Sequence, residues 1–182
     1  AGSSLVNPTK LECTLDVLDK MPLENVGYAQ GFTRADAVDK ALTEQAVALA
    51  KQADTVLLYM GLPEISETEG LDREHMRLPD NQVQLLKAVA AANPNVLVVL
   101  AAGSPVETPW LEHCKALVYT GLCGQAGASA ALRVITGQVC PGGRLSQTWP
   151  LEWADEPVSH YWPGRQRTAE YREGPFVGYR YF

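Results

Sequence analysis

Apolar runs of strand length alternate along this chain with segments of helical periodicity. The clearest runs are residues 55–60 and Val96–Ala101, and a shorter one covers residues 116–120. A short run that is apolar at nearly every position is typical of a strand covered on both faces, as in a parallel sheet. The sequence therefore predicts an α/β fold, with a mostly parallel sheet flanked by helices.

Four segments have apolar residues at helical spacing. Thr9 can cap the first helix, the Asn93-Pro94-Asn95 tripeptide ends the third, and Gly137 is placed to cap the carboxyl end of the fourth. The predicted helices span residues 9–20, 42–50, 83–90 and 125–135.

Weaker strand signals occur at residues 26–28, 145–149 and 176–182. The last of these lies in a tail, residues 151–182, that is rich in aromatic residues and proline and shows little periodicity. We expect this tail to be a packing or interface segment of the same domain. Of the four tryptophans, Trp110 and Trp149 are expected in the core.

Size and charge exclude several classes of protein. A chain of 182 residues fits one domain, and its hydrophobic content of 46% and net charge of −6 are ordinary for a globular protein without a basic patch. Nucleic-acid and anionic-membrane partners are therefore not expected. No apolar run approaches the roughly 20 residues needed to span a bilayer, and residues 1–20 lack the pattern of a secretion signal.

The cysteines are scattered without metal-ligand spacing, which favours buried free thiols in a reducing compartment and predicts a cytoplasmic location. They are Cys13, Cys114, Cys123 and Cys140. His75, His113 and His160 are far apart and form no metal-binding array, so no metal is expected. Neither a glycine-rich phosphate loop nor a GxSxG nucleophile elbow occurs, and no cofactor is predicted.

The segment that follows the first strand concentrates the charge. Residues 67–73 carry four ionisable side chains around Gly70, namely Glu67, Glu69, Asp72 and Arg73. One interpretation is an exposed acidic loop that caps the next helix. The other is a binding or catalytic loop, because ligands of parallel α/β sheets gather at the carboxyl ends of strands.

Six blocks in order along the chain resemble the carboxy-terminal α/β sandwich domain of glycoside hydrolase family 3, the β-glucosidase group. They are residues 2–8, 67–79, 102–110, 124–127, 137–145 and 176–181. Small departures from the family occur at Ser129, Cys140 and Gly142, none of them in the acidic loop. The resemblance implies that residues 1–182 are one such domain, incomplete at its amino-terminal edge, and that the chain is a fragment or a processed piece.

The resemblance also implies a division of the catalytic work. In this family the nucleophilic Asp lies on a preceding barrel domain, and the general acid/base Glu lies on a loop of the sandwich domain. A retaining glycosidase needs both carboxyl groups about 5–5.5 Å apart, so this chain alone is predicted to be inactive. Matching the Glu-Gly-x-Asp-Arg core makes Glu69 the acid/base, with Glu67 as the rival. Asp72 and Arg73 are expected to pair and hold the loop.

The expected substrate is a β-linked oligosaccharide or glycoside, and the expected partner is the companion barrel domain. Two other interpretations stay open. A noncatalytic carbohydrate-binding or scaffold module could keep the fold and use tryptophan faces to stack on sugars. A nucleotide-binding α/β domain would need a phosphate loop, which this sequence lacks.

Overall fold

A parallel sheet forms the centre of the computed structural model, which describes residues 6–164 and 167–182. Strands β1 (Val56–Gly61), β2 (Val96–Ala101) and β3 (Ala116–Tyr119) lie in the order β1-β2-β3. Val56 pairs with Val96, and Leu97 pairs with Ala116. All three strands end at the same edge, so the segments after Gly61, Ala101 and Tyr119 meet there. The sequence predicted the three strands to within one residue at each end.

Four helices accompany the sheet: α1 (Thr14–Leu18), α2 (Lys40–Ala50), α3 (Asp80–Ala92) and α4 (Gly127–Ile135). Asp39 caps α2 by accepting a hydrogen bond from the Leu42 backbone N–H at 3.1 Å. The apolar face of α3 packs on the central strand β2, which is apolar at every position. The fully buried residues of this core include Leu86, Val89, Val96, Val98, Leu100 and Trp110.

A buried asparagine joins the carboxyl ends of α2 and α3. The side-chain amide of Asn93 donates to the carbonyls of Ala50 at 2.9 Å and Ala53 at 2.7 Å, and its oxygen accepts from the Asn95 backbone at 2.8 Å. The tripeptide therefore ends α3 as predicted and also ties two helices together. At α4, Gly137 follows the last turn with φ +74°, which confirms its predicted capping role.

The first predicted helix is much shorter than expected: α1 covers five residues instead of 9–20. Thr9 is not its cap, because the Thr9 hydroxyl binds the Gln125 side chain and the Glu12 backbone N–H binds the Gln125 carbonyl. The helix starts after Cys13, whose N–H donates to Asp16 at 3.0 Å. These contacts with the start of α4 hold residues 9–12 outside the helix.

The three weaker strand predictions were wrong. Residues 26–28 contain a local turn, in which the Gly27 N–H donates to the Asn25 side chain at 3.1 Å. Residues 145–149 are irregular, and Gly178–Arg180 is a short 3₁₀ helix in place of a strand. Gly178 has φ +56°, a left-handed conformation that a strand does not accept.

Trp110 is buried as predicted, with 2% of its surface exposed, and Trp149 packs partly buried against the core. The cysteines are free, but the prediction of burial was wrong for three of them: Cys13, Cys123 and Cys140 are exposed. Within the described ranges, none of the helices has the length and apolar content to span a membrane.

Candidate functional site

The acidic loop begins at the end of β1, where several contacts fix its first residue. The Gln82 side chain, on α3, accepts a hydrogen bond from the Gly61 N–H and donates to the Gly61 carbonyl, both at 2.9 Å. The next backbone N–H, of Leu62, donates to the Ala101 carbonyl of β2 at 3.1 Å. The loop therefore starts from a rigid point at the edge of the sheet.

A β-turn forms the tip of this loop. After the 3₁₀ helix Glu64–Glu67, the Leu71 N–H closes a turn on the Thr68 carbonyl at 3.4 Å. Gly70 occupies the third position with φ +83°, the left-handed conformation that a type II turn requires there. Glu69 is the second residue of the turn and is exposed at its corner.

Glu67 turns towards the neighbouring strand end. Its Oε1 atom accepts a hydrogen bond from the Gly103 backbone N–H at 2.5 Å, two residues beyond β2. A Cβ atom at position 103 would lie 2.9 Å from this oxygen and 3.0 Å from Leu122. The close approach of the carboxylate therefore depends on glycine at position 103.

Arg73 binds the same neighbouring loop, which corrects the predicted Asp72–Arg73 pair. Its Nη1 donates to the Ser104 hydroxyl at 2.8 Å and to the Pro105 carbonyl at 2.9 Å. Burial lowers the pKa of Arg73, while the negative charges of Glu67 and Glu107 act in the opposite direction. Among the described residues, its Nη2 is buried without a hydrogen-bond partner.

An open cavity of about 610 Å³ lies beside this loop at the carboxyl ends of the strands. Trp153 and Trp162, from the aromatic tail, form part of its wall. Trp153 is held there because its backbone N–H donates to the Glu107 carboxylate at 2.6 Å. The remaining lining residues are Ser66, Glu67, Thr68, Leu71, Asp72, Arg73, Glu74, His75, Met76, Gly103, Ser104 and Leu122.

The two carboxylates singled out from the sequence have different positions. Glu67 is half-buried and lines the cavity, whereas Glu69 is exposed at the turn corner and is not among the lining residues. Residues on both sides of Glu69, Thr68 and Leu71, do line it. Glu67 therefore forms part of the cavity wall, and Glu69 lies in the same turn between Thr68 and Leu71.

Sequence reasoning did not assign site roles to Gly103, Ser104 and Glu107, which contact the acidic loop or the tail. The signal that could have found them is the polar segment directly after β2, which must end beside the segment that follows β1. His75 lines the cavity, and its Nδ1 accepts a hydrogen bond from the Arg77 backbone at 3.2 Å. Among residues 6–164 and 167–182, no cluster of three or more potential ligands could hold a metal ion.

A family model, the glycosyl hydrolase family 3 C-terminal domain, matches residues 2–179. The chain belongs to glycosyl hydrolase family 3. The predicted α/β architecture is that of a solved family 3 structure, the β-glucosidase of Bifidobacterium adolescentis, which has 46% identity and a TM-score of 0.90. That alignment covers 99% of this chain and 27% of the β-glucosidase chain. The resemblance seen in the sequence is thus confirmed, although residues 2–5 of its first block lie outside the described residues.

Two curated family 3 relatives align with the whole chain. One is an exo-α-(1→6)-L-arabinopyranosidase of Bifidobacterium breve, 45% identical over 183 residues, and the other is the thermostable β-glucosidase B of Acetivibrio thermocellus, 38% identical over 185 residues. This chain covers 24% of each. It therefore spans about a quarter of the length of these relatives, in which the domain is part of a larger glycoside hydrolase.

Proposed function

We propose that this chain is the acid/base-bearing domain of a retaining β-glucosidase-like enzyme that hydrolyses terminal β-linked sugars. One observation supports the proposal: the loop that carries Glu69 lies beside an open cavity at the carboxyl ends of a parallel sheet, with Glu69 at the corner of its turn. Membership in a glycoside hydrolase family gives that carboxylate a reaction to serve.

In the proposed mechanism Glu69 protonates the departing sugar oxygen and then activates the water that releases the sugar. The nucleophile is an Asp on a companion barrel domain, which closes over the rim of the cavity. Glu67 is the other candidate for the acid/base role. Because the nucleophile lies on the companion domain, we expect no turnover of an aryl β-glucoside by residues 1–182 alone.

Substitution of each glutamate in the full-length enzyme tests the proposal. Glu69→Gln should lower kcat on a substrate with a poor leaving group by about 10²–10⁴-fold, the usual contribution of a general acid/base. Azide should restore much of the loss on an activated aryl glycoside, because it attacks the glycosyl-enzyme without needing a base. Unchanged hydrolysis in both Glu69→Gln and Glu67→Gln would reject the acid/base role.

A noncatalytic carbohydrate-binding or scaffold module is the second candidate. The position of Trp153 and Trp162 in the cavity wall favours it, because both rings could stack on a sugar. Under that alternative, the glutamate substitutions leave hydrolysis unchanged, and removal of the tryptophans weakens sugar binding. The two similar relatives are named for different sugars, so the glycoside itself has to be found by screening aryl glycosides.

We further propose that residues 1–182 form one domain whose aromatic tail, residues 151–182, belongs to it. The burial of Ser159 supports this, as do the hydrogen bonds from the Trp153 N–H to the Glu107 carboxylate at 2.6 Å and from the Thr108 N–H to the Leu151 carbonyl at 3.2 Å. A cytoplasmic location, predicted from the cysteines, is consistent with their being free thiols.

A further inference from the structure

We infer that Glu67 and Arg73 are positioning residues, which clasp the two ends of the turn to the loop after β2 and thereby fix Glu69. This inference rests on the proposed function for its catalytic consequence. Its structural content is independent of that function. It assigns Glu67 a role different from proton donation.

The first half of the clasp is the bond between Glu67 and Gly103. Glu67 is the last residue of its 3₁₀ helix, directly before the turn, and its Oε1 accepts from a backbone N–H at 2.5 Å. A hydrogen bond accepted by a carboxylate is stronger than one accepted by a neutral oxygen. One of the two carboxylate oxygens of Glu67 is thus bound to the backbone of the neighbouring loop, which favours a positioning role.

The second half of the clasp lies on the other side of the turn. Arg73 follows the turn by two residues, and its Nη1 binds Ser104 and Pro105. Glu67 and Arg73, at the two ends of the segment 67–73, therefore bind three consecutive residues, 103–105. A guanidinium group can make both of its contacts from one rigid plane, which a lysine cannot.

The turn between these anchors needs support from outside. Its closing hydrogen bond is long, at 3.4 Å, and a Cβ atom at Gly70 would meet nothing within 4 Å. Leu71 is 62% exposed. A displacement of about 1 Å at a reacting group can cost roughly 10²-fold in rate, so the clasp would matter for catalysis.

The charges on the clasp also fit together. Arg73 is partly buried and lies close enough to Glu67 and Glu107 for both carboxylates to favour its charged form. Glu107 in turn holds Trp153 and, through its own N–H, the Met76 carbonyl at 2.9 Å. Arg73 thus belongs both to the clasp and to the wall of the cavity.

A pair of substitutions at Glu67 in the full-length enzyme distinguishes positioning from proton transfer. Glutamine keeps an oxygen that can accept from Gly103, so Glu67→Gln should lose no more than about threefold in kcat, whereas Glu67→Ala should lose roughly 10²-fold. Azide should restore neither variant. Equal, large losses in both variants with azide rescue would overturn the inference, because they would make Glu67 the acid/base.

A substitution that leaves both carboxylates in place gives a second test. Gly103→Ala adds a methyl group where the Glu67 oxygen lies, whereas Gly124→Ala, on the loop after β3, meets nothing within 4 Å and serves as the control. Hydrogen–deuterium exchange of the peptide containing residues 67–73 should accelerate in Gly103→Ala and Glu67→Ala, and not in Gly124→Ala. Exchange in Gly103→Ala and Glu67→Ala that matches the parent overturns the clasp.

The exchange experiment also separates the two proposals. If Glu69→Gln proves fully active while Glu67→Ala and Gly103→Ala accelerate exchange, the acid/base proposal fails and the clasp stands as a structural device. If Glu69→Gln is inactive while exchange is unchanged in both clasp variants, the clasp fails and the proposed function stands.

Discussion

The side-chain amide of Gln82 binds both backbone groups of Gly61, at 2.9 Å each. The amide thus supplies the two backbone hydrogen bonds that a neighbouring strand would give to the last residue of β1. Because Gln82 is on α3, it also fixes that helix relative to the point where the acidic loop leaves the sheet. Helix packing and site geometry are therefore coupled through one buried side chain.

Replacing Gln82 should consequently destabilise the domain. Gln82→Leu leaves the Gly61 N–H and carbonyl without these partners in a site that is 6% exposed, at a cost of about 1–3 kcal/mol. The matched control is Gln84→Leu, on the exposed face of the same helix, which should change stability by less than about 0.5 kcal/mol. Calorimetric unfolding of both variants measures the difference, and equal midpoints would contradict this role of Gln82.

Gly61 itself should tolerate no side chain. A Cβ atom there would collide with the carbonyl oxygen of Ala101, a backbone atom of the paired strand that cannot move aside alone. We expect Gly61→Ala to cost about 3 kcal/mol or more, in the range of severe core substitutions. Gly142→Ala, in open surroundings, is the control. A Gly61→Ala protein with the stability of the control would show that β1 and β2 separate there at little cost.

Asn93 should be the main polar link between α2 and α3. Asn93→Ala removes two donated hydrogen bonds and one accepted bond from a residue that is 7% exposed, and should destabilise the domain by about 2 kcal/mol. Asn95→Ala, which loses one bond to Asp54 at an exposed position, should cost well under half of that. Thermal unfolding of the two variants gives the comparison. A larger effect at position 95 would refute this assignment.

The stability of the tail should depend on the charge of Glu156. Burial raises the pKa of Glu156, with further contributions from Glu173 and Asp155. The folded state therefore binds the proton more tightly than the unfolded state, so this stabilising contribution is full below the ordinary carboxyl pKa and is lost as pH rises through the raised value. The effect is small, because the side chain is only partly buried and solvent screens it.

Glu156→Gln removes the ionisable group, and with it the loss of folding stability as the pH rises. At pH 7 the variant should be more stable than the parent protein, with a higher unfolding midpoint. At pH 4 the two proteins should have the same midpoint. Glu24→Gln, at an exposed position, is the control. A variant that becomes relatively less stable at pH 7 would show that ionised Glu156 has a stabilising partner.

The sequence was most informative where burial alone determines structure. β2 is buried at four of its six positions, and its bounds were predicted correctly. Residues 145–149, Leu-Ser-Gln-Thr-Trp, are more polar and pair with none of the described strands. There Trp149 packs edge-on against Tyr119, and the carbonyls of Pro150 and Leu151 accept hydrogen bonds from Thr108. Strand propensity depends on such context, which the local pattern does not contain.

The site assignment stays a prediction, and only the surroundings of its residues are now described. Glu67 and Glu69 are two residues apart, and the sequence predicts both on one loop after a strand. Their different surroundings depend on Gly103, 36 residues away from Glu67. The partner chosen for Arg73 was wrong because Asp72 is adjacent in sequence, whereas the oxygens of Ser104 and Pro105 are aligned with the guanidinium in space.

Residues 103–108 contact the acidic loop on one side and the aromatic tail on the other. This makes them the frame to preserve when a family 3 glycoside hydrolase that contains this domain is redesigned. The exposed side chains of Leu71 and Trp162 at the cavity are the positions to randomise. Libraries built at these two positions vary the shape of the cavity while leaving that frame intact.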